Sequence, residues 1–378
     1  TDIISPAPLE RSDRRGLRMV ASAASNALGL ISVMLTLAVI SAIPVVNLLS
    51  LGYLLESSGR VARSGRVRDG FIGLSLFSIA GRIALSCWIW FLPLRLIHSF
   101  WRDAELIEPG GDEAARLRMV LAVSSVVIGI HLIGACLRGG KWRHFFLPAP
   151  FQWLRFLGGN IGFSALLPSV AAFAKEMRLF YFFSLGARGF AGAALWLALP
   201  LLILMFFANV TNPGLAVLGS FFGSFLLAGV CLYLPFLQTR FAMTGRFGEF
   251  FSIGATRELF RRAPLAFWMA LLVTLLFALP LYLLIIELTP NEIAWLPNLA
   301  FVLFIFPARL LLGWAVSRAE RRETQRIWLS RWAARLGAIP VVGTYAFIVW
   351  LTQYLSWHGS LSLLEQHAFL VPAPLFGL

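Results

Sequence analysis

Runs of about 20 apolar residues recur along the chain and are separated by shorter polar segments. An apolar helix of that length crosses the roughly 30 Å of hydrocarbon in a bilayer, and the runs lack the alternating pattern of a barrel strand. The pattern therefore predicts an all-α, polytopic transmembrane helical protein with about eight membrane segments. Seven spans are predicted at about 83–101, 117–137, 189–208, 214–236, 265–287, 297–317 and 337–356.

The first apolar stretch, residues 19–55, is too long for one straight span and too short for two. Pro44 and Asn47 mark a kink within it. We expect a crossing at 34–56, with 19–33 forming either a short extra crossing or a re-entrant piece. A cytoplasmic N-terminus favours a tight hairpin over the whole stretch, whereas a single crossing places the N-terminus outside.

One stretch of the chain occurs twice, at 53–71 and again at 233–251. The two copies share seven identical residues at a constant spacing of 180, without a gap. A match at a fixed period predicts a direct internal duplication. Further identities at the same spacing pair Arg82 with Arg262, Leu85 with Leu265, Trp88 with Trp268 and Arg138 with Arg318.

The repeat also predicts helices that lie along the membrane surface. Residues 71–82 alone could begin a span that buries Arg82, but their copy at 251–262 reads FSIGATRELFRR, which is amphipathic. Both segments are therefore expected to be amphipathic interfacial helices, which places Arg82 at the surface. Apolar and basic residues at helical spacing within 318–335 predict a further amphipathic helix.

These features divide the chain into five predicted segments. In chain order they are an N-terminal surface tail at 1–18, a first membrane repeat at 19–143, an interfacial aromatic and basic insert at 144–188, a second membrane repeat with a preceding span at 189–324, and an amphipathic helix, last span and external tail at 325–378.

The net charge of the chain is +14, and Lys141 and Lys175 are the only lysines among its basic residues. The arginines occur in short loops between the spans, which is typical of the positive-inside rule and not of nucleic-acid binding. The expected partners are therefore membrane lipids, especially anionic headgroups, and no nucleic acid. The basic loops, expected to be cytoplasmic, are 57–70, 138–188, 237–264 and 318–335; the basic-poor loops are 102–116 and 288–296.

Residue patterns typical of catalysis or metal binding are scarce. No P-loop, HExxH or GxSxG motif occurs, and the acidic residues lie in loops, tails or span ends. The three cysteines are isolated within apolar runs and are interpreted as packing residues. His131, in the middle of a span, is either a hydrogen-bonded packing residue or part of a proton relay. We expect no catalytic residue, no cofactor and no metal.

Arginines are the remaining candidates for a binding site. Arg95 and Arg309 lie within predicted spans, where they either snorkel to the interface or bind a phosphate or carboxylate. The repeated stretch supplies the other candidates. The hypothetical lipid or anion contacts are Arg95, Arg309, Arg60, Arg66, Arg240 and Arg246.

Several of these segments resemble an uncharacterised bacterial family of multi-pass membrane proteins. The resemblance covers most of 34–320 in pattern and rests on Ile43-Pro44, GYLL at 52–55, Asp69-Gly70-Phe71 and LPFLQTRFAMTGRFGEFF at 234–251. It implies a location in the bacterial inner membrane and supplies no catalytic residues. With the basic loops cytoplasmic, the C-terminus is expected to be periplasmic.

Three functional classes follow from these patterns. The first hypothesis is a non-catalytic inner-membrane protein, either a lipid-contacting scaffold or an accessory subunit of a membrane assembly, including a homo-oligomer. The alternative is a permease for a lipid or a small anionic solute that uses Arg95 or Arg309. A membrane enzyme acting on lipids would need a nucleophile and a base that converge only in three dimensions.

Overall fold

The computed structural model describes residues 9–146, 175–286, 295–355, 359 and 363. Within this part of the chain the ordered elements are all helical. The helices are α1 (Leu9–Ser41), α2 (Asn47–Ser64), α3 (Leu74–Ile107), α4 (Asp112–Leu137), α5 (Trp142–Phe146), α6 (Leu179–Ala208), α7 (Pro213–Thr244), α8 (Ile253–Arg262), α9 (Pro264–Ile286), α10 (Trp295–Glu320) and α11 (Trp328–Leu355). Short 3-10 helices at Val67–Gly70 and Phe247–Phe251 follow α2 and α7.

Seven helices in the described residues are long and apolar enough to cross a membrane, namely α1, α3, α4, α6, α7, α10 and α11. The pair α8 and α9 passes the same test together but is bent by 112°, which makes up to eight membrane segments. The protein is thus a polytopic helical membrane protein, as the hydropathy pattern predicts. The seven predicted spans coincide with α3, α4, α6, α7, α9, α10 and α11.

Contacts divide the chain into two compact units, Thr1–Val33 with Gly73–Met177, and Met34–Ile72 with Arg178–Leu378. In the second unit, α2 contacts α6, α7 and α10. α2 carries the buried polar residues Glu56, Ser57 and Ser58, and it is not among the helices apolar enough to face lipid alone. Ser57 and Ser58 each donate a hydrogen bond to a carbonyl of the preceding turn, at 2.9 and 2.8 Å. Enclosure by three helices keeps these side chains out of hydrocarbon.

Glycines allow the three neighbouring helices to approach α2 closely. A Cβ atom at Gly52 would overlap the Phe182 carbonyl oxygen of α6, and one at Gly186 would overlap the Leu48 carbonyl oxygen of α2. Small residues allow this kind of backbone approach between membrane helices. α7 and α10 approach α2 in the same way. Gly59 of α2 packs on the Ala242 carbonyl of α7, and Gly313 of α10 packs on the Ser58 carbonyl of α2.

In the first unit, α3 and α4 pack together around a cluster that includes Ile128 and Leu132. The carbonyl oxygen of Phe145 accepts a hydrogen bond from Trp90 Nε1 at 3.0 Å and lies 2.7 Å from His131 Nε2. His131 is therefore hydrogen-bonded to the backbone of a residue of this cluster.

The predicted crossing at 34–56 is wrong as a continuous helix. α1 extends to Ser41 and includes 19–33, residues 42–46 are irregular, and α2 begins at Asn47. The break falls at the predicted kink, because Pro44 lacks a backbone donor and disfavours helix at the residue before it. Residue Val45 has a positive φ of 68°. Of the tail predicted at 1–18, the described part from Leu9 onward is helical, and residues 1–8 lie outside the described chain.

The predicted surface helix at 71–82 is also wrong, because α3 is continuous from Leu74 to Ile107. Its copy, in contrast, forms the separate helix α8. Pro264 begins α9, whereas Ala84 stands at the corresponding position of α3. Since proline interrupts the helix at the preceding residue, only the second copy turns. Arg82 therefore lies within a membrane helix, and its Nε is buried with no hydrogen-bond partner among the described residues.

The amphipathic helix predicted within 318–335 does not form separately, because Trp328 begins α11 and its first two turns continue into the span. The pentapeptide Ala-Ile-Pro-Val-Val occurs at 42–46, where the chain breaks, and at 338–342, inside α11. Identical sequence therefore adopts two conformations in two packing contexts. The predicted features at 147–174, at 287–294 and in most of 357–378 lie outside the described residues.

We predict that Gly186→Ala destabilises the protein by about 1–3 kcal/mol, because its Cβ must displace the backbone of α2. Gly343→Ala is the matched control, since a Cβ there meets nothing within 4 Å. The control should be neutral or slightly stabilising, as alanine favours helix over glycine. Thermal unfolding of both variants in the same detergent measures the difference. Equal unfolding temperatures would show that the close approach of α2 and α6 does not limit stability.

Candidate functional site

Both copies of the repeated stretch form the same elbow between a helix and a 3-10 turn. The residue after α2 is Gly65, with φ of 72°, and the residue after α7 is Gly245, with φ of 73°. This left-handed conformation strongly favours glycine and ends each helix. The elbows also share a hydrogen bond, from Arg66 N–H to Ser64 Oγ at 3.2 Å and from Arg246 N–H to Thr244 Oγ1 at 3.3 Å.

Arginines from neighbouring helices bind the free carbonyl groups at these two helix ends. Arg63 Nη1 donates to the carbonyl oxygens of Ala242 and Met243, at 3.0 Å each. The last carbonyls of a helix lack partners within it, and cationic side chains satisfy them. The other two contacts are Arg188 to the Gly245 carbonyl at 3.3 Å and Arg321 to the Ser64 carbonyl. Part of the basic charge of these loops is therefore structural.

Arg60 is one of the arginines predicted to contact a lipid or an anion. In the structure it binds the carboxylate of Glu56, a residue that the sequence analysis did not identify. Glu56, with a side chain 4% exposed, accepts hydrogen bonds from Arg60 Nε at 3.0 Å and Arg63 Nη2 at 2.9 Å. Tyr181 Oη donates to its second oxygen at 2.7 Å. One oxygen is thus occupied by two arginines of α2 itself, and the other joins α2 to α6. The spacing of Glu56, Arg60 and Arg63 on one helical face was the available signal.

Arg240, the counterpart of Arg60, binds Glu249 in the second elbow. Its Nη2 lies 2.7 Å from Glu249 Oε2, which also accepts from Ser252 Oγ at 2.9 Å. Partial burial opposes ionisation of this carboxyl, but hydrogen bonds from Arg240 and Ser252 and the charges of Arg240 and Arg246 outweigh burial. The pKa of Glu249 therefore lies below its ordinary value.

The remaining predicted contacts fall in different environments. The side chains of Arg66 and Arg246 are exposed at the elbows. Arg309 is buried in α10, where its Nη1 donates to Gln238 Oε1 of α7 at 2.8 Å. Arg95 is exposed and lines a cavity of about 460 Å³ in the first unit, together with His98. Arg95 thus belongs to the first unit, and the five predicted arginines of the second unit have different surroundings.

A larger space, which we call the interhelical groove, lies among α6, α7, α8, α9 and α11 in the second unit. Its volume is about 1340 Å³. Aromatic and aliphatic side chains form most of its lining, including Phe221, Phe225 and Ile339, which are 73%, 68% and 66% exposed. These exposed apolar side chains lie on helices that are long and apolar enough to cross a membrane.

One end of the interhelical groove is basic. The charged residues among its described lining are Arg257 and Arg261 of α8 and Arg335 of α11, and no acidic residue accompanies them. Arg257 Nε donates to Tyr233 Oη at 3.0 Å. The 112° bend turns α8 away from the direction of α9. A short, basic, amphipathic helix in this orientation is typical of the headgroup level of a membrane.

Two indole groups in the lining have donors without partners in the described chain, Trp268 Nε1 and Trp350 Nε1. A Cβ at Gly337 of α11 would lie 2.7 Å from Trp268 Nε1, so this glycine leaves room for the indole edge. Buried N–H groups of this kind usually have an acceptor. Both N–H groups are buried, so the faces of the indole rings, and not their donors, line the groove.

Metal-binding and covalent chemistry have little support in the residues described. No group of three or more His, Cys, Asp or Glu residues there could hold a metal ion.

Comparisons with protein-family models, curated proteins and solved structures found no match to this chain.

Sequence reasoning could not locate the interhelical groove. Its lining extends from Leu195 to Trp350 and comes from five helices. The available signal was partial: Arg257 and Arg261 lie in the segment predicted to be amphipathic, and Tyr233 begins the second copy of the repeat. The bend before Pro264 brings these residues together, and that bend belongs to the tertiary structure.

We predict that acid weakens the second elbow. Because the pKa of Glu249 lies below its ordinary value of 4.5, its ionised form stabilises the fold above that value, and the contribution is lost as the pH falls towards the folded-state pKa. At about pH 7, Glu249→Gln should cost about 1–3 kcal/mol, typical of a hydrogen bond to a charged group.

Thermal unfolding at about pH 7 and about pH 3 checks this, since the gap between the native chain and Glu249→Gln should shrink in acid. Glu323→Gln is the control, because Glu323 is exposed. A gap that stays constant with pH would contradict the assignment of the stabilising charge to Glu249.

Proposed function

We propose that the protein is a non-catalytic integral membrane protein that holds a membrane lipid in its interhelical groove. In this role it acts as a lipid-contacting scaffold or as an accessory subunit of a membrane assembly. The observation that carries the proposal is the division of the groove into apolar walls and a basic end. A membrane lipid has the same division between its acyl chains and its headgroup.

The dimensions of the groove support a lipid over a small polar solute. From Arg335 to Trp350, the lining residues of α11 cover about 22 Å of helix, and those of α7 from Val217 to Tyr233 cover about 24 Å. Each length exceeds the roughly 15 Å of hydrocarbon in one leaflet. Arg335 of α11 and Tyr233 of α7 stand at the ends of these stretches next to α8. A headgroup can therefore lie beside α8, with the acyl chain along the rest of the groove.

The polar residues of the lining support a binding role without catalysis. Besides arginine, they are hydroxyl and indole groups such as Ser220, Ser224 and Trp268. No His, Asp, Glu, Lys or Cys stands among the described lining residues to activate a hydroxyl nucleophile. Acyl or phosphoryl transfer needs such a base next to the nucleophile.

We also propose a bacterial inner-membrane location with the basic loops cytoplasmic and the C-terminus periplasmic. Loop charge supports this orientation. A direct internal duplication is part of the same proposal. It is supported by the two elbows, which repeat the same glycine conformation and hydroxyl-to-amide hydrogen bond at a spacing of 180 residues.

A permease for lipid is the second candidate, and the helix break at 42–46 favours it. The side chain of Asn47, at the start of α2, is 1% exposed, and its amide N and O have no hydrogen-bond partner among the described residues. Interrupted helices with free polar groups are common at the binding sites of membrane carriers.

We predict that Gly229→Phe removes bound lipid by filling the groove. Gly229 lines the groove, and a Cβ there meets nothing within 4 Å, so the new side chain leaves the helix into open space. Loss of burial for only two methylenes lowers affinity about tenfold. Native mass spectrometry of the purified full chain counts the lipids that remain bound.

The matched control is Gly129→Phe, on α4, where a Cβ also meets nothing within 4 Å. This variant should retain as much lipid as the native chain. Equal lipid retention by Gly229→Phe and Gly129→Phe, with both folded, would remove the interhelical groove as the binding site.

For the permease candidate, we predict movement of fluorescent lipid between leaflets of proteoliposomes, reduced at least about tenfold by Asn47→Leu. The substitution removes two buried unpaired polar atoms, which favours folding, so lost transport would not reflect lost structure. Native protein that moves lipid no faster than empty liposomes contradicts this candidate and leaves the binding role intact.

A further inference from the structure

We propose that the ligand of the interhelical groove is an anionic phospholipid whose phosphate is bound by Arg257 and Arg335. This inference rests on the proposed lipid-binding function and adds the chemical class and orientation of the lipid. Its basis is the presence of two arginines whose guanidinium groups line the groove without a carboxylate partner in the described chain.

Arg257 is held in a position that leaves part of its guanidinium free. Its Nε donates to Tyr233 Oη at 3.0 Å, and its guanidinium carbon lies 5.6 Å from the centre of the Tyr233 ring. The two Nη groups make no hydrogen bond within the described residues. Arginine can present two parallel N–H donors to a phosphate, so these groups are suited to the headgroup.

Arg335 is positioned by aromatic rings instead of by an ion pair. Its guanidinium lies 5.8 Å from the ring centre of Phe260 and 5.6 Å from that of Trp332. Because Phe260 belongs to α8, this contact brings the arginine of α11 to the helix that carries Arg257. Contacts with ring faces leave the donors at the guanidinium edge available.

The balance of charge at this end of the groove favours an anion. Glu258, the acidic residue nearest in sequence, lies 3.7 Å from Arg261 and 3.4 Å from Arg262, so one carboxylate serves two other arginines. No acidic residue in the described lining offsets Arg257 and Arg335. Like charges repel each other, and an anion between them would offset that repulsion.

The groove also places the other parts of a phospholipid. Trp268 stands in the first turns of α9, about 6 Å along the helix from Pro264. Its ring lines the groove, and its N–H is buried against Gly337 of α11. The apolar lining beyond Trp268 then receives an acyl chain.

Phospholipids of different headgroup charge should therefore bind unequally. A zwitterionic headgroup carries a cation next to its phosphate and brings that cation towards Arg257 and Arg335. An anionic headgroup avoids this repulsion. Repulsion between that cation and the arginines is strong enough to make a difference of about tenfold in affinity.

The test is competition between phosphatidylglycerol and phosphatidylcholine with identical acyl chains, mixed in equal amounts with the purified full chain. Native mass spectrometry reports the lipid that is bound. The native chain should prefer phosphatidylglycerol about tenfold, and the double variant Arg257→Gln/Arg335→Gln should lose that preference. Arg257→Lys/Arg335→Lys should retain most of it, because the positive charge remains.

Arg318→Gln is the matched control. Arg318 is an exposed arginine that stacks on Trp314 of its own helix and does not line the groove, so its loss should leave the preference unchanged. Equal binding of both lipids by the native chain, abolished by Gly229→Phe, would overturn the headgroup assignment and keep the lipid site. Absence of either lipid from the native chain would overturn both proposals.

Discussion

The close approach of backbones around α2 is the contact on which the second unit depends. This helix contains buried serines and the ion-paired Glu56, so lipid is a poor environment for it. Glycines on α2 itself, on α6 and on α10 remove the side chains that would hold the neighbouring helices away. Carbonyl oxygens then pack directly on Cα atoms, and the polar residues of α2 find their partners inside the protein. The glycine contacts that bring the helices together therefore also enclose the polar residues of α2 and give them hydrogen-bond partners.

The arginines of the chain divide into two groups by the partner that each one has. Arg63, Arg188 and Arg321 bind carbonyl groups at helix ends, and Arg60 and Arg240 bind carboxylates. Their charge is used within the fold. Arg257 and Arg335 instead contact rings and a hydroxyl group and leave donors exposed at the groove. Net charge alone could not separate these groups, because the distinction depends on what each guanidinium touches.

Hydropathy was a good guide to the helices and a poor guide to where they break. The runs of apolar residues predicted the cores of α3, α4, α6, α7, α9, α10 and α11, because burial in hydrocarbon requires them. The repeat was misleading at 71–82, where similarity in pattern concealed the replacement of Pro264 by Ala84. The repeated stretch, by contrast, did mark both elbows, and its shared glycines are the residues that adopt a positive φ there. The groove could not be predicted, since it is assembled from helices distant in sequence.

The polarity of α2 has a consequence for synthesis of the chain in the membrane. α2 is not among the described helices that are long and apolar enough to cross a membrane, and its glycine partner on α6 lies more than a hundred residues later in the sequence. At ribosomal speed that interval lasts on the order of 10 s. During this time α2 needs shelter, either in water at the membrane surface or beside the insertion machinery. The second unit therefore closes around its earliest helix only after its later helices have been made.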